Sequence, residues 1–121
     1  MVRAKDVLGR RGEDAAVDHL ERAGLVVLER NWRCRAGEID IVASEGRDLV
    51  VCEVKTRTGV RYGLPVEAVT PVKLERLRGL ALAWLADRRP RGVDRIRVDV
   101  IGVLVPPVGQ LVIDHIRGVE P

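Results

Sequence analysis

Apolar and polar positions change rhythm several times along the chain, and each change marks an element. From about Lys5 to Gly24, the residues Leu8, Gly12, Ala16, Leu20 and Ala23 recur at helical spacing, which predicts a first helix with Gly24 as its stop. The segments "LVVLERNWR", "GEIDIVA" and "LVVCEVKTR" then carry the apolar density of strands, the last two joined across "EGRD" by a tight turn. Thr70 followed by Pro71 opens a second helix, in which Leu74, Leu77, Ala81, Trp84 and Leu85 form an apolar face and which ends near Arg88. "RIRVDVIGVL" and "QLVIDHI" read as two more strands, with "VPPVG" turning between them. Thr58 to Val69, rich in glycine and proline, reads as a loop. The predicted order is helix, three strands, helix, two strands.

One strand breaks its own pattern. In Leu49 to Arg57, period-two alternation puts Leu49, Val51, Glu53 and Lys55 on one face and Val50, Cys52, Val54 and Thr56 on the other. Buried charge is costly unless it is paired or bound to a metal. A two-residue loop with Gly46 first suits a type II′ hairpin and places Glu45 opposite Asp48. Counting back along both strands, Asp40 then faces Glu53, and Glu38 faces Lys55. Like charges directly opposite one another are destabilising, so the Asp40/Glu53 pair calls for a positive group between them. Carboxylate oxygens are hard ligands suited to magnesium or manganese, which use one or two of them and complete their shell with water and phosphate. The competing reading is a solvated hairpin face with Glu38/Lys55 as an ordinary cross-strand ion pair; Leu49 and Val51 on the same face weigh against it. Glu13 lies at the flank of the first helix's apolar stripe, about 80° from its centre, where it can reach a sheet edge. Periodicity does not fix its partner.

Composition narrows the class. With 121 residues, 46% apolar and 32% charged, the chain has the size and balance of one globular domain, 1–121. Cys34 and Cys52 are the only cysteines, which argues against a disulfide framework or a zinc site. No signal-peptide core or bilayer-spanning run is present, so no membrane partner is expected and the expected location is the cytoplasm. The formal net charge of +3 suits a polyanionic partner if the positive residues cluster. Arg10, Arg11, Arg33, Arg35, Arg57 and Arg61 flank the acidic positions in sequence, as phosphate-positioning residues do, although solvated surface arginines are the simpler account of any one of them. Trp32 and Trp84 are expected in the core, and His19 and His115 in structural roles. Tyr62, in the predicted loop, is a weak candidate for a nucleic-acid contact.

Five ordered stretches, "GRRGEDAAVDHLERAG", "NWRCRAGEIDIVA", "VVCEVKTR", "YGLPVEAVTPVKLERL" and "RVDVIGV", resemble the YraN-like family of bacterial proteins from about Asp6 to Val103. That family in turn resembles the restriction-endonuclease-like superfamily, the PD-(D/E)XK nucleases, and within it the archaeal Holliday-junction resolvases. The resemblance implies an α/β fold, a mixed central sheet of about five strands flanked by helices. It also implies a magnesium- or manganese-dependent endonuclease acting on DNA, ahead of RNA, at branched or structured sites. Asp40, Glu53 and the Val54 carbonyl would hold the metal, with Glu13 acting directly or through water, and Lys55 would complete the catalytic set by orienting the attacking water. Arg11, Arg35, Arg57 and Lys73 would contact nucleic acid, and a homodimer is allowed because related resolvases act as pairs. Asp99 occupies a family position as well, with a structural pairing to a neighbouring arginine the favoured account. The chain departs from the pattern in having Ile39, not proline, before Asp40, and in lacking phenylalanine, which leaves its core packing open. Two other readings stand beside the enzyme: a catalytically silent nucleic-acid-binding or recruitment module on the same fold, and an acidic protein-contact surface.

Overall fold

The computed structural model describes residues 4–59 and 69–120. Helix α1 (Ala4–Arg22) is followed by strands β1 (Val26–Cys34), β2 (Gly37–Glu45) and β3 (Asp48–Arg57), helix α2 (Pro71–Arg88), and strands β4 (Arg95–Leu104) and β5 (Val112–Ile116). The predicted order holds throughout. Gly24 ends α1 with φ of +93°, which the missing Cβ permits. Ala23, expected on the stripe, falls beyond the helix's last residue and is exposed. Most of the predicted loop, with Arg61 and Tyr62, lies outside the described residues.

The strands form one sheet in chain order, β1-β2-β3-β4-β5. Only β3 and β4 run parallel, so the sheet is mixed. A parallel neighbour requires a crossover, and α2 supplies it. This is the restriction-endonuclease-like α/β architecture.

Both faces of β3 are covered, as its apolar run requires. Ala16 and Leu20 of α1 pack with Ile41, Ala43, Val50, Cys52, Ile101 and Val103 on one face. On the other, Leu74, Leu77, Leu80, Ala81 and Trp84 of α2 pack with Trp32, Ile39, Val42, Leu49, Val51, Val98 and Val100. The two tryptophans and branched aliphatics fill the space that phenylalanine often fills, and both tryptophans lie in the core as expected, 7% and 4% exposed.

Helix α2 is fixed at both ends. Thr70 Oγ1 accepts the Lys73 N–H at 3.2 Å, and Pro71 occupies a first-turn position where no N–H is needed. At the far end Glu29 of β1 accepts the Trp84 indole N–H at 3.0 Å and the Arg88 guanidinium at 2.9 and 2.7 Å. No helix among the described residues is long and apolar enough to cross a membrane.

Candidate functional site

The β2–β3 hairpin begins as its turn predicts. Glu45 pairs with Asp48, and of the two turn residues Gly46 alone has positive φ, +59°, as a type II′ turn requires. The ladder then runs Ser44↔Leu49, Ala43↔Val50, Val42↔Val51 and Ile41↔Cys52, and there it stops. The expected facing pairs Asp40/Glu53 and Glu38/Lys55 are therefore not ladder partners. Instead the Asp40 carboxylate reaches across and accepts the Val54 N–H at 2.8 Å.

The cause lies in a change of face that β1 and β2 make together. Arg30 pairs with Ile41 and Trp32 with Ile39, and in regular strands Ile39 and Ile41 would share a face. Here Ile41 packs under α1, whereas Ile39 and Trp32 pack under α2. The reversal falls at Asn31 and Asp40, the residues between those pairs. Asn31 adopts φ of +53°, a left-handed conformation that asparagine tolerates better than most residues. Asp40 is thereby released from the ladder and lines two clefts at once.

The cleft on the α1 side, about 580 Å³, is walled by Asp6, Glu13, Asn31, Glu38, Asp40 and Thr56, among others. Glu13, whose partner the sequence left undetermined, is held there by Arg30 Nε at 2.8 Å and Asn31 Nδ2 at 2.9 Å. The cleft on the α2 side, about 260 Å³, is walled by Gly37, Glu38, Asp40, Glu53, Lys73 and Arg76 together with Leu77 and Leu80. Glu53 Oε1 stands 3.4 Å from Lys55 Nζ and 3.3 Å from Lys73 Nζ. Glu38 pairs with Arg33 at 3.0 Å, its neighbour on β1, rather than with Lys55.

The expected repulsion between Asp40 and Glu53 is present. Burial, then the Glu53 charge, push the Asp40 carboxyl up to about 6, against the opposing effect of the Val54 N–H. Burial would lower the Lys73 ammonium, but the Glu53 carboxylate outweighs it and holds Lys73 above the ordinary lysine value. Among the described residues, no three histidine, cysteine or acidic side chains gather into a set that could hold a metal ion.

The structure thus brings Asp40, Glu53, Lys55 and the Val54 main chain together, with Glu13 on the opposite side of Asp40. Arg35 is exposed in the β1–β2 turn. Arg11 lines a separate groove with Val7, Arg10 and Asp14. Arg57 is half-buried at the end of β3, where its carbonyl accepts the Val105 N–H at 2.7 Å. Lys73 reaches Glu53 from another element, a contact that strand periodicity has no means to signal.

A second polar cluster, away from Asp40, escaped the sequence reading. Asp99 is fully buried on β4, paired as expected with its neighbour Arg97, whose Nε and Nη2 lie 2.9 and 3.0 Å from the two carboxylate oxygens. It also accepts the Gly118 N–H at 2.9 Å and meets His115 Nε2 at 2.8 Å. His115 Nδ1 in turn lies 3.0 Å from His19 Nε2 on α1. Burial would raise the Asp99 carboxyl, but these bonds outweigh it and keep it ionised to lower pH than usual. The histidines are structural, as expected, though as partners of each other across 96 positions of chain.

Comparison with known proteins places this geometry. Residues 12–103 match the family described as Uncharacterised protein family UPF0102. The chain is 54% identical over 119 residues to a UPF0102 protein of Kineococcus radiotolerans, covering 98% of each. It is 54% identical over 115 residues to one from a Nocardioides species, covering 95% of this chain and 92% of that protein. A UPF0102 protein of Frankia alni is 51% identical over 117 residues, covering 97% of each. The chain belongs to the UPF0102 family, the YraN-like proteins related to the PD-(D/E)XK nuclease superfamily.

Proposed function

We propose that this protein is a divalent-metal-dependent endonuclease that hydrolyses DNA phosphodiester bonds, built as one nuclease-like domain and working in the cytoplasm. The observation that carries the reading is Asp40, freed from its ladder and set against Glu53 so closely that the Glu53 charge raises its pKa, with Lys55 on the Glu53 carboxylate. A structural ion pair does not need a second carboxylate beside it.

The donor set suits a hard cation. Asp40 and Glu53 offer the one or two carboxylates that magnesium typically takes, leaving room for water and phosphate, and manganese shares the preference for oxygen. With Asp40, Glu53 and the Val54 carbonyl holding it, the ion would polarise the scissile phosphate and offset its charge. Lys55 orients the attacking water and donates to the negative charge that develops on phosphorus-bound oxygen. Glu13, fixed by Arg30 and Asn31, adds negative potential on the α1 side of Asp40. Arg35, Lys73 and Arg76 lie at the same end of the sheet and supply sequence-independent phosphate contacts. Branched or otherwise structured DNA is the substrate that the resemblance to resolvases suggests, and the same resemblance allows a homodimer.

Cleavage of single-stranded, duplex, flap and four-way DNA in magnesium and in manganese tests the reading. Asp40→Asn and Lys55→Ala are expected to lower cleavage at least a hundredfold while circular dichroism and Tm show a folded chain. Wild-type activity in both variants would overturn it. DNA binding that weakens with salt, without cleavage of any substrate, would instead favour a silent binding module on the same fold.

A further inference from the structure

Two ammonium groups share one oxygen of Glu53, and they arrive by different routes. Lys55 is two residues further along the same strand, so its reach to Glu53 is set by β3 alone. Lys73 belongs to α2, whose start is fixed by the Thr70 cap and whose end is fixed by Glu29 through Trp84 and Arg88. With both ends of the helix tied down, the ammonium is delivered to Glu53 by the tertiary fold. One lysine suffices to neutralise one carboxylate. The second stands in the α2-side cleft with Arg76, among the carboxylates of Glu38, Asp40 and Glu53.

An ammonium on a carboxylate oxygen takes the space a hard cation needs and repels that cation. Resting on the reading of Asp40 and Glu53 as cation ligands, we infer that Lys73 is a positioning residue that holds Glu53 in the cation's place. It yields Glu53 when a divalent ion arrives and presents its charge to the incoming phosphate.

The two clefts support that direction of approach. The α1-side wall carries Asp6, Glu13, Glu38 and Asp40 against Arg10 and Arg33, an excess of negative charge that disfavours phosphate. The α2-side wall sets Lys73 and Arg76, one helical turn apart, against Glu38, Asp40 and Glu53, a smaller excess of negative charge than on the α1 side. A divalent ion on Asp40 and Glu53 turns the α2 side net positive and leaves the α1 side near neutral, so the phosphodiester enters from the α2 side, where the displaced ammonium meets it.

Manganese titration of the full chain by calorimetry, without DNA, separates this role from that of a simple surface contact. Lys73→Gln removes a competitor, so it is expected to bind manganese about fivefold more tightly than the wild type, with Lys73→Arg close to the wild type. Unchanged or weaker binding in Lys73→Gln overturns the inference. A second readout is the salt dependence of binding to a fluorescein-labelled DNA duplex, in calcium to withhold cleavage and in EDTA. Lys73→Gln is expected to lower the slope by about one in calcium and to leave it unchanged in EDTA; equal slopes in calcium overturn the hand-over to phosphate. If the wild type binds no manganese, with or without DNA, the cation reading itself falls, and Lys73 is judged on Tm alone. Non-additive shifts for Glu53→Gln and Lys73→Gln then uphold its hold on Glu53, and additive shifts overturn it.

Discussion

Asp40 accepts a main-chain N–H, and that bond favours its charged form, yet its carboxyl is raised from the ordinary 3.8 to about 6 because burial and the Glu53 charge act against it. The consequence for stability has a definite sign. Between those two values the folded chain binds more protons than the unfolded one, so stability falls as pH rises through that window, and above it the full cost is present. An asparagine side chain in place of the carboxylate would keep an oxygen for the Val54 N–H while removing the charge. Asp40→Asn is therefore expected to be more stable than the wild type by roughly 1–3 kcal/mol near pH 7.5 and to lose that advantage near pH 3.5. Urea denaturation at the two pH values checks this; an equal difference at both would remove repulsion as the cause. At this scale the sequence was informative where chemistry is local. Counting across the turn foretold the nearness of Asp40 to Glu53 but not its geometry, since the two are not ladder partners, whereas the shared face of Glu53 and Lys55 follows from period two. The Lys73–Glu53 and His19–His115 contacts do not, because each joins residues from separate elements.

Helix α1 lies against Thr56 of β3 at Gly12, next to Glu13. A Cβ there would overlap Thr56 Oγ1 and stand 2.7 Å from Thr56 Cγ2, on a strand that Val103 of β4 pairs at this point. Gly12→Ala is expected to push the helix outward, costing roughly 1–3 kcal/mol of stability as overpacked sites do and moving Glu13 away from Arg30 and Asn31. Adding Thr56→Ala should recover part of the loss, which urea denaturation of single and double variants would reveal. No recovery would mean that α1 is seated by something other than this contact. The glycine's place on the apolar stripe was legible in the sequence, and so were the Thr70 cap and the end of α2 at Arg88. The joint change of face at Asn31 and Asp40 was not. Strand periodicity assumes that a face, once chosen, is kept, and two paired strands can reverse together at the cost of one residue in a left-handed conformation.

Across the whole molecule some arginines are tied to carboxylates and others are not, and at the Asp40 end both kinds occur, Arg30 and Arg33 being tied to Glu13 and Glu38. At the hairpin end of the sheet, Arg47 is bound to Asp94, Arg95 to Asp48, Arg97 to Glu45 and Asp99, and Arg117 to Glu45. At the Asp40 end, Arg10, Arg11, Arg35 and Arg76 form no ion pair with the described residues. On the nuclease reading, Arg35→Ala and Arg76→Ala should each weaken DNA binding and lower its salt slope by about one, while Arg95→Ala leaves both unchanged. Fluorescence anisotropy over a range of salt concentrations measures this, and indifference to all three would detach nucleic-acid binding from this end of the sheet. The mixed character of the sheet was an expectation from the family resemblance, while the order of helices and strands was legible because their signals alternate cleanly. The sorting of arginines was not, because pairing depends on the carboxylates that the fold brings near.

The buried Asp99 sets a condition on the life of the chain before it is finished. Its carboxylate is satisfied from three directions, and two of them, His115 and Gly118, follow it by 16 and 19 positions. A nascent chain that has emerged through β4 but not yet through β5 has only Arg97 to set against a charge destined for the interior, and β4 then lacks its outer neighbour. Synthesis interrupted in that interval leaves an open sheet edge and an incompletely paired carboxylate, the kind of surface by which chaperones and proteases distinguish unfinished proteins from finished ones. The same four-part cluster that ties β5 to β4 therefore closes only after Gly118 has left the ribosome.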